Sequence, residues 1–270
     1  MYLQRVAILR VTGAAGRLLT SGIPLASIKP GGVPMLKGIY RAASGMIPQI
    51  KKQEIAANNI ANASTPGFKK DQVFLQQLDA ATKATLPRKS DWQTPMIDQV
   101  YTDYSPGSLD QTGNSFDVAI EGKGFFVTES PTGEMRFYTR NGNFSRDTDG
   151  FLVTSEGNRV LGDGGPINVG DGQATINGEG SITVNNEIVG KLQVVEFPED
   201  KVLTKTGESG FVAPQNVAPS PSTKFSVQQG YLERSNINII KEMVDMIMTL
   251  RNFETGSKSI QMQDNSLDAL

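Results

Sequence analysis

The chain has 270 residues, 38% hydrophobic and 20% charged, with a formal net charge of −2 and neither histidine nor cysteine. That length holds one large domain or two modest ones with real cores, and the composition is that of a folded protein. Lack of histidine removes the usual general base near neutral pH and the commonest metal ligand, and lack of cysteine removes thiol nucleophiles, thiolate metal sites and disulfides.

Residues 1–34 stand apart. Arg5, Arg10 and Arg17 interrupt each apolar stretch, so a signal-peptide core of ordinary length is excluded. The Pro30-Gly31-Gly32-Val33-Pro34 run breaks any helix. These residues read as a flexible or miscalled leader, with Met35 as the natural start. An acid-free, Arg-bearing leader also imitates an organelle transit peptide by composition alone. The first 53 residues hold eight Lys or Arg and no acid, leaving a net of −10 on the remainder. A basic end on an acidic body fits nucleic acid or anionic lipid. The basic residues are nevertheless dispersed and barely interleaved with aromatics, so a helix and leader that merely lack acids is the plainer reading. No nucleic-acid partner is expected, and with no run of eighteen uncharged apolar residues no membrane insertion is expected.

From Met35 to about Ala63 the spacing predicts a helix. An apolar seam runs Leu36, Ile39, Ala43, Met46, Ile50, Gln53, Ala57, Ile60 in alternating steps of three and four, the pattern of a helix that meets a partner helix. Pro48 predicts a kink, and Pro66-Gly67 ends the helix. Asn58, Asn59 and Asn62 lie beside small alanines. They either fray the helix end or hydrogen-bond between closely approaching subunits.

Residues 69–107 are ambiguous: a short helix over Asp71–Thr82 is expected, then a polar linker over Lys83–Pro95. From Pro106 to about Phe225, turn signals such as Pro131-Thr132-Gly133, Asp149-Gly150 and Asn185-Asn186 alternate with short apolar runs, including Phe116–Ile120, Phe125–Thr128 and Leu192–Phe197. That rhythm predicts a compact all-β domain. Ser235, Asn236 and Asn238 offer N-caps to a last helix from about Ile237 to at least Gln263. Its seam runs Ile239, Met243, Met246, Leu250, Phe253, Ser257, Ile260, Asp264 and Leu267.

Candidate chemistry is thin. Ser145-Arg146-Asp147-Thr148-Asp149-Gly150 with Glu156 partly matches a calcium loop, but its flanks are strand-like where that loop needs helices, and a hairpin explains the same residues. Gly122-Lys123-Gly124 and Gly162-Asp163-Gly164-Gly165 lack phosphate-loop spacing. Asp103, Asp110, Asp117 and Glu121 supply carboxylates for a glycan-cleaving pair, with nothing in the sequence to bring two together. Met243, Met246, Met248 and Met262 offer an adaptable surface or plain packing. No catalytic, cofactor-binding or metal-binding residues are assigned.

Four ordered segments resemble the bacterial flagellar basal-body rod and hook protein family over nearly all of residues 35–270. They are Ala56–Lys69 (AANNIANASTPGFK), Gly107–Phe126, Tyr138–Phe144 with Asp149–Val153, and Gln229–Asn238 continuing through Glu242-Met243 to Arg251–Glu254. The resemblance implies a non-enzymatic structural subunit of the basal-body rod, polymerised through its N- and C-terminal helices for motility. It implies export by the flagellar type III apparatus without a cleaved Sec signal, and a place in the rod that spans the periplasm. Its partners would be further copies in a helical assembly, other rod and hook-basal-body subunits, and the export apparatus. The 236 residues from Met35 and a short stretch between Phe68 and Gly107 lean toward the proximal rod type (FlgF-like), with the distal type (FlgG-like) as alternative.

The expected fold class is α+β, mainly β. A discontinuous coiled-coil-like terminal helical core (35–75 plus 226–270) would flank a central all-β domain (76–225), after the leader 1–34. The residues expected to carry subunit assembly are Leu36, Ile39, Met46, Ile50, Asn58, Asn59, Ile60, Asn62, Ile239, Met243, Met246, Leu250, Phe253 and Ile260. A hook or phage-tail-like axial subunit shares this logic. A β-domain glycan-acting enzyme or adhesin is the alternative from another class.

Overall fold

The structure, a computed structural model, describes residues 34–76, 96–198, 203–207 and 209–268. The leader expected at 1–34, apart from Pro34, and the linker at Lys83–Pro95 lie outside the described residues.

Helix α1 spans Pro34–Ala61. It opens on a proline, where a missing N–H forfeits no helical bond, and passes without a break through a buried Pro48. Its C-terminal turn is closed by Asn62 N donating to the Asn58 and Asn59 carbonyls. Gly67 then takes a φ of 68°, where a Cβ would lie 2.3 Å from the Asn141 nitrogen. Only glycine satisfies both the left-handed backbone and that approach. The last helix, α2, spans Ile239–Asp268, and of the three candidate caps it uses Asn238, whose Oδ1 accepts the Lys241 N–H at 3.0 Å.

Among the described residues, nineteen strands lie between the helices. In chain order they are β1 Asp71–Gln76, β2 Met96–Thr102, β3 Leu109–Gln111, β4 Val118–Gly122, β5 Phe125–Glu129, β6 Arg136–Thr139, β7 Phe144–Arg146, β8 Leu152–Thr154, β9 Arg159–Gly162 and β10 Gly165–Pro166. There follow β11 Ala174–Ile176, β12 Ser181–Val184, β13 Glu187–Lys191, β14 Val194–Glu196, β15 Thr204–Thr206, β16 Gly210–Val212, β17 Ser220–Pro221, β18 Phe225–Gln229 and β19 Tyr231–Glu233. All the pairings are antiparallel. The main sheet runs β15-β16-β6-β5-β9-β8-β7, with β10 added to β9 and β14 joining β5 to β17. A three-stranded sheet, β11-β12-β13, and the pairs β1-β2, β3-β19 and β4-β18 complete the set. The fold is α+β and mainly β.

The expected helix over Asp71–Thr82 is corrected: Asp71–Gln76 is strand β1, in register with β2 from Asp71↔Thr102 to Gln76↔Met96. Its partner lies some 25 residues further along the chain, so no local window could weigh that pairing against helix propensity.

Two apolar cores lie on opposite faces of the main sheet. Phe126, Val160 and Val194 join Val118, Ile120, Ile182, Leu192 and others in one. Their chain neighbours Phe125, Leu161 and Val195 join Tyr138, Phe197, Leu203 and Phe211 in the second. Strands covered on both sides read as continuous apolar runs, which is why Phe125–Thr128 and Leu192–Phe197 show no alternation. In the second core the Phe125 ring packs edge-on at 5.6 Å from Phe211 and 5.8 Å from Tyr104. Turn chemistry follows the sequence at several hairpins: Asn185 and Asn186 both take positive φ between β12 and β13, and Gly150 does so between β7 and β8. The tentative calcium loop therefore lies on a β7–β8 hairpin, with a strand on each side.

Candidate assembly surface and its junction

The two helices pack together and run antiparallel. A Cβ on Gly256 would approach the Met46 Cγ to 3.0 Å, whereas near the other end Asn59 Nδ2 lies 3.3 Å from Glu242 Oε2. The shared stripe has small residues at its closest points, with Ala56 and Thr249 buried, and Thr249 turns its hydroxyl onto the Asp245 carbonyl at 2.7 Å. On α2 this stripe also takes in the half-buried Glu242, Asp245, Met246, Phe253, Gly256 and Ile260.

The seam residues separate accordingly. Met46 and Ile60 on α1, and Met246, Phe253 and Ile260 on α2, are half-buried. Ile50, Ile239, Met243 and Leu250 are 41–48% exposed. The side chains of Leu36 and Ile39 lie outside the described residues. A straight helix of 3.6 residues per turn drifts off a seven-residue repeat, so a single intramolecular partner covers part of each seam and leaves the rest outward. Beside the exposed seam positions stand Ile240 (77% exposed), Val244, Ile247 and Met248, all in the first half of α2, with Ile47 and Ile50 exposed on α1. From Arg251 onward the outward side chains of α2 are mostly polar, including Arg251, Asn252, Glu254, Lys258, Gln261 and Asp264, with Met262 also exposed. Among folded proteins, large exposed apolar patches are a common feature of interaction sites.

The asparagines divide in the same way. Asn58 is exposed, and Asn62 donates locally to the Asn58 carbonyl at 3.0 Å. Asn59 is held inside the chain. It is 1% exposed, and its amide is engaged within the chain. Its Oδ1 accepts the Asp71 N–H at 3.0 Å and its Nδ2 donates to the Asp71 carbonyl at 2.9 Å, so one side chain imitates a strand partner at the start of β1. Asn236, ahead of α2, does the equivalent work from the other end. It accepts from Lys70 N at 2.9 Å and donates to the Asp103 carbonyl at 2.8 Å. Two amides thus hold the backbone where both helices meet β1 and β2.

Beneath them lies a buried charge cluster that the sequence analysis missed. Lys69, Arg140 and Glu233 are 0%, 5% and 1% exposed. The Lys69 ammonium donates to Glu233 Oε1 and to the Ser105 carbonyl. Arg140 donates to Glu233 Oε2 at 3.2 Å and to the Ile120 and Gly122 carbonyls, and the Gly107 N–H donates to Glu233 Oε1 at 2.9 Å. Burial pulls the Lys69 ammonium below the ordinary lysine value, against the opposing pull of Glu233. Lys205, from β15, reaches over the Phe68 ring and donates to the Lys69 carbonyl and to Asp71 Oδ2. Burial likewise lowers its pKa despite Asp71. The available signal was a charged residue inside an apolar signature, as in Phe68-Lys69 and Leu232-Glu233. No spacing rule joins positions 164 apart.

Three of the four carboxylates weighed for catalysis are engaged separately. Asp117 is 3% exposed and accepts from Asn114 and Asn143, Glu121 accepts from Gln228, and Asp103 accepts from Ser105 N and Gln72. Asp110 is exposed on β3. The described residues contain no group of three or more metal-ligating side chains, and none of the described helices is long and apolar enough to cross a membrane.

The four signature segments meet at this junction, and comparison with known proteins agrees with them. Residues 39–69 match the model for "Flagella basal body rod protein", 119–186 the model for "Flagellar hook protein FlgE/F/G D1 domain", and 228–270 the model for "Flagellar basal body rod FlgEFG protein C-terminal". The chain is 32% identical over 244 residues to the flagellar basal-body rod protein FlgF of Caulobacter vibrioides, covering 87% of this chain and 95% of the relative. It belongs to the flagellar basal-body rod protein family. Relatives named FlgG are about as similar. The FlgG proteins of Buchnera aphidicola (subsp. Schizaphis graminum) and Bacillus subtilis are each 31% identical, with 87% of this chain covered and 99% and 98% of the relatives. As a member of that family the chain is a structural rod subunit, and the junction and helix pair are the parts its signature segments build.

Proposed function

We propose that this rod subunit is built into the flagellar axis by its α1–α2 arm, which packs against the arms of neighbouring subunits in a coiled-coil-like manner and carries the β body outward. The observation that carries the reading is the apolar band of Ile239, Ile240, Met243, Val244, Ile247 and Leu250, left exposed after α1 and α2 have paired. Leu36, Ile39, Met46, Ile50, Asn58, Asn59, Ile60, Asn62, Met246, Phe253 and Ile260 complete the proposed assembly set, with residues 35–75 and 226–270 as the arm and 76–225 as the body. The neighbours are further copies and other rod and hook-basal-body subunits, in the part of the basal body that spans the periplasm. A chain without cysteine suits export in an extended state through the flagellar type III apparatus, with no cleaved Sec signal. The family is one of structural proteins, so no catalytic role is assigned.

Deleting residues 237–270 in the source bacterium tests this. Loss of swimming with filament assembly halted at the basal body is the expected result; normal swimming in a flagellated host rejects the proposal.

A further inference from the structure

The contact between the helix pair and the β body differs in kind from the contacts inside the body. Neither apolar core includes a residue of α1 or α2, and neither includes Lys69 or Glu233. What joins the two parts near Glu233 is polar and directional. From the arm side come Lys69, after α1, and Glu233, before α2. From the body side come Arg140, at the end of β6 and bonded to two β4 carbonyls, and Lys205 on β15. Backbone bonds reinforce the meeting point: the Gly67 N–H donates to the Glu233 carbonyl at 2.7 Å, and the Arg234 N–H to the Ser108 carbonyl at 2.8 Å. Gly107 passes so near that a Cβ there would sit 1.8 Å from the Arg234 carbonyl oxygen.

Apolar contacts tolerate sliding, whereas a carboxylate that accepts from three separate segments is satisfied in one arrangement only. Burial leaves no water to replace a lost partner, so a partly satisfied cluster is disfavoured. We infer that the Glu233 carboxylate, gripped by Lys69, Arg140 and the Gly107 amide, is a latch that sets the helical arm at one angle on the β body. The latch closes when the N-terminal and C-terminal segments are both in place, because one supplies Lys69 and the other Glu233. Its two cations against one anion make Glu233 the member whose loss opens it. Glu233 is therefore a positioning residue, whose effect on the arm passes through Lys69 and Arg140.

The absence of cysteine makes the test direct. Cysteines introduced at two exposed sites, Lys258→Cys on α2 and Glu179→Cys in the β11–β12 turn, carry spin labels without background. The purified full chain is expected to give one narrow distance distribution by pulsed electron resonance. Glu233→Gln should broaden it at least about twofold, while the circular-dichroism melting transition of the β body stays in place, as expected for a broken buried pair outside the cores. Lys69→Met removes only the arm-side donor and should broaden it less. A distribution as narrow as the parent's in a folded Glu233→Gln protein overturns the latch. So does loss of the body's melting transition in both variants, which would make the cluster part of the body's core.

Discussion

Among the described side chains of α2, Ile240 is the most exposed large apolar one, at 77%. Replacing it by serine leaves the free subunit almost untouched, because a surface exchange away from the cores changes stability by about 0.5 kcal/mol or less. In an assembled axis the effect differs. Fully burying an isoleucine contributes about 1.5–3 kcal/mol, so covering the three-quarters that remain exposed contributes about 1–2 kcal/mol. At 1.4 kcal/mol per factor of ten, each subunit contact weakens about tenfold. Competition reads this ratio without a polymerisation assay. Parent and Ile240→Ser chains are expressed together at equal levels, hook-basal bodies are isolated, and the two forms are counted by mass spectrometry. The variant should be under-represented about tenfold relative to whole cells, with an unchanged melting temperature when purified. Equal incorporation would refute the placement of this band against a neighbour.

Two further outcomes test the junction. Asn59→Ala strips the Asp71 N–H and carbonyl of their partner in a buried setting. It should cost about 1–3 kcal/mol, seen as a lower urea midpoint and faster hydrogen exchange at the Asp71 amide; unchanged exchange there would show that the amide bond contributes nothing. The Asp103 carboxyl is pushed up by burial, but bonds from Ser105 and the nearby Lys70 ammonium outweigh that and hold it below its ordinary value of 3.8. A depressed folded pKa means that the unfolded chain takes up the proton first. The stabilisation is full above that ordinary value and disappears as pH falls below it through the folded value. Asp103→Asn should therefore flatten the fall in urea midpoint between about pH 5 and about pH 3, and an identical acid limb in both proteins would contradict the assignment.

Much of this protein is local. Helix α1 could be read from helix-forming residues and a three-four apolar rhythm, and its end from Pro66-Gly67, because capping and φ preferences act within a few residues. The hairpins at Asp149-Gly150 and Asn185-Asn186 follow from residues that tolerate positive φ. The four signature segments were legible as ordered motifs, and the family through their resemblance. Strand β1 was not, since its stability comes from β2 and from Asn59 reaching the Asp71 backbone. Nor was the sharing of Phe125 and Phe126 between two cores, because a continuous apolar run does not say that both faces are covered.

By itself the sequence determined the two terminal helices and several hairpin turns, that histidine and cysteine chemistry is excluded, and that two apolar stripes await partners. Only the tertiary structure decided how those stripes are shared. α1 and α2 cover the stripe around Ala56, Thr249 and Gly256 and leave Ile240, Val244 and Ile247 outward. It also decided that Asn59 works inside the chain and that Lys69, Arg140 and Glu233 meet. The reason is one of range: spacing along a helix is set by bonds four residues apart, whereas rotation against a partner and the meeting of charges 164 residues apart depend on the whole chain closing.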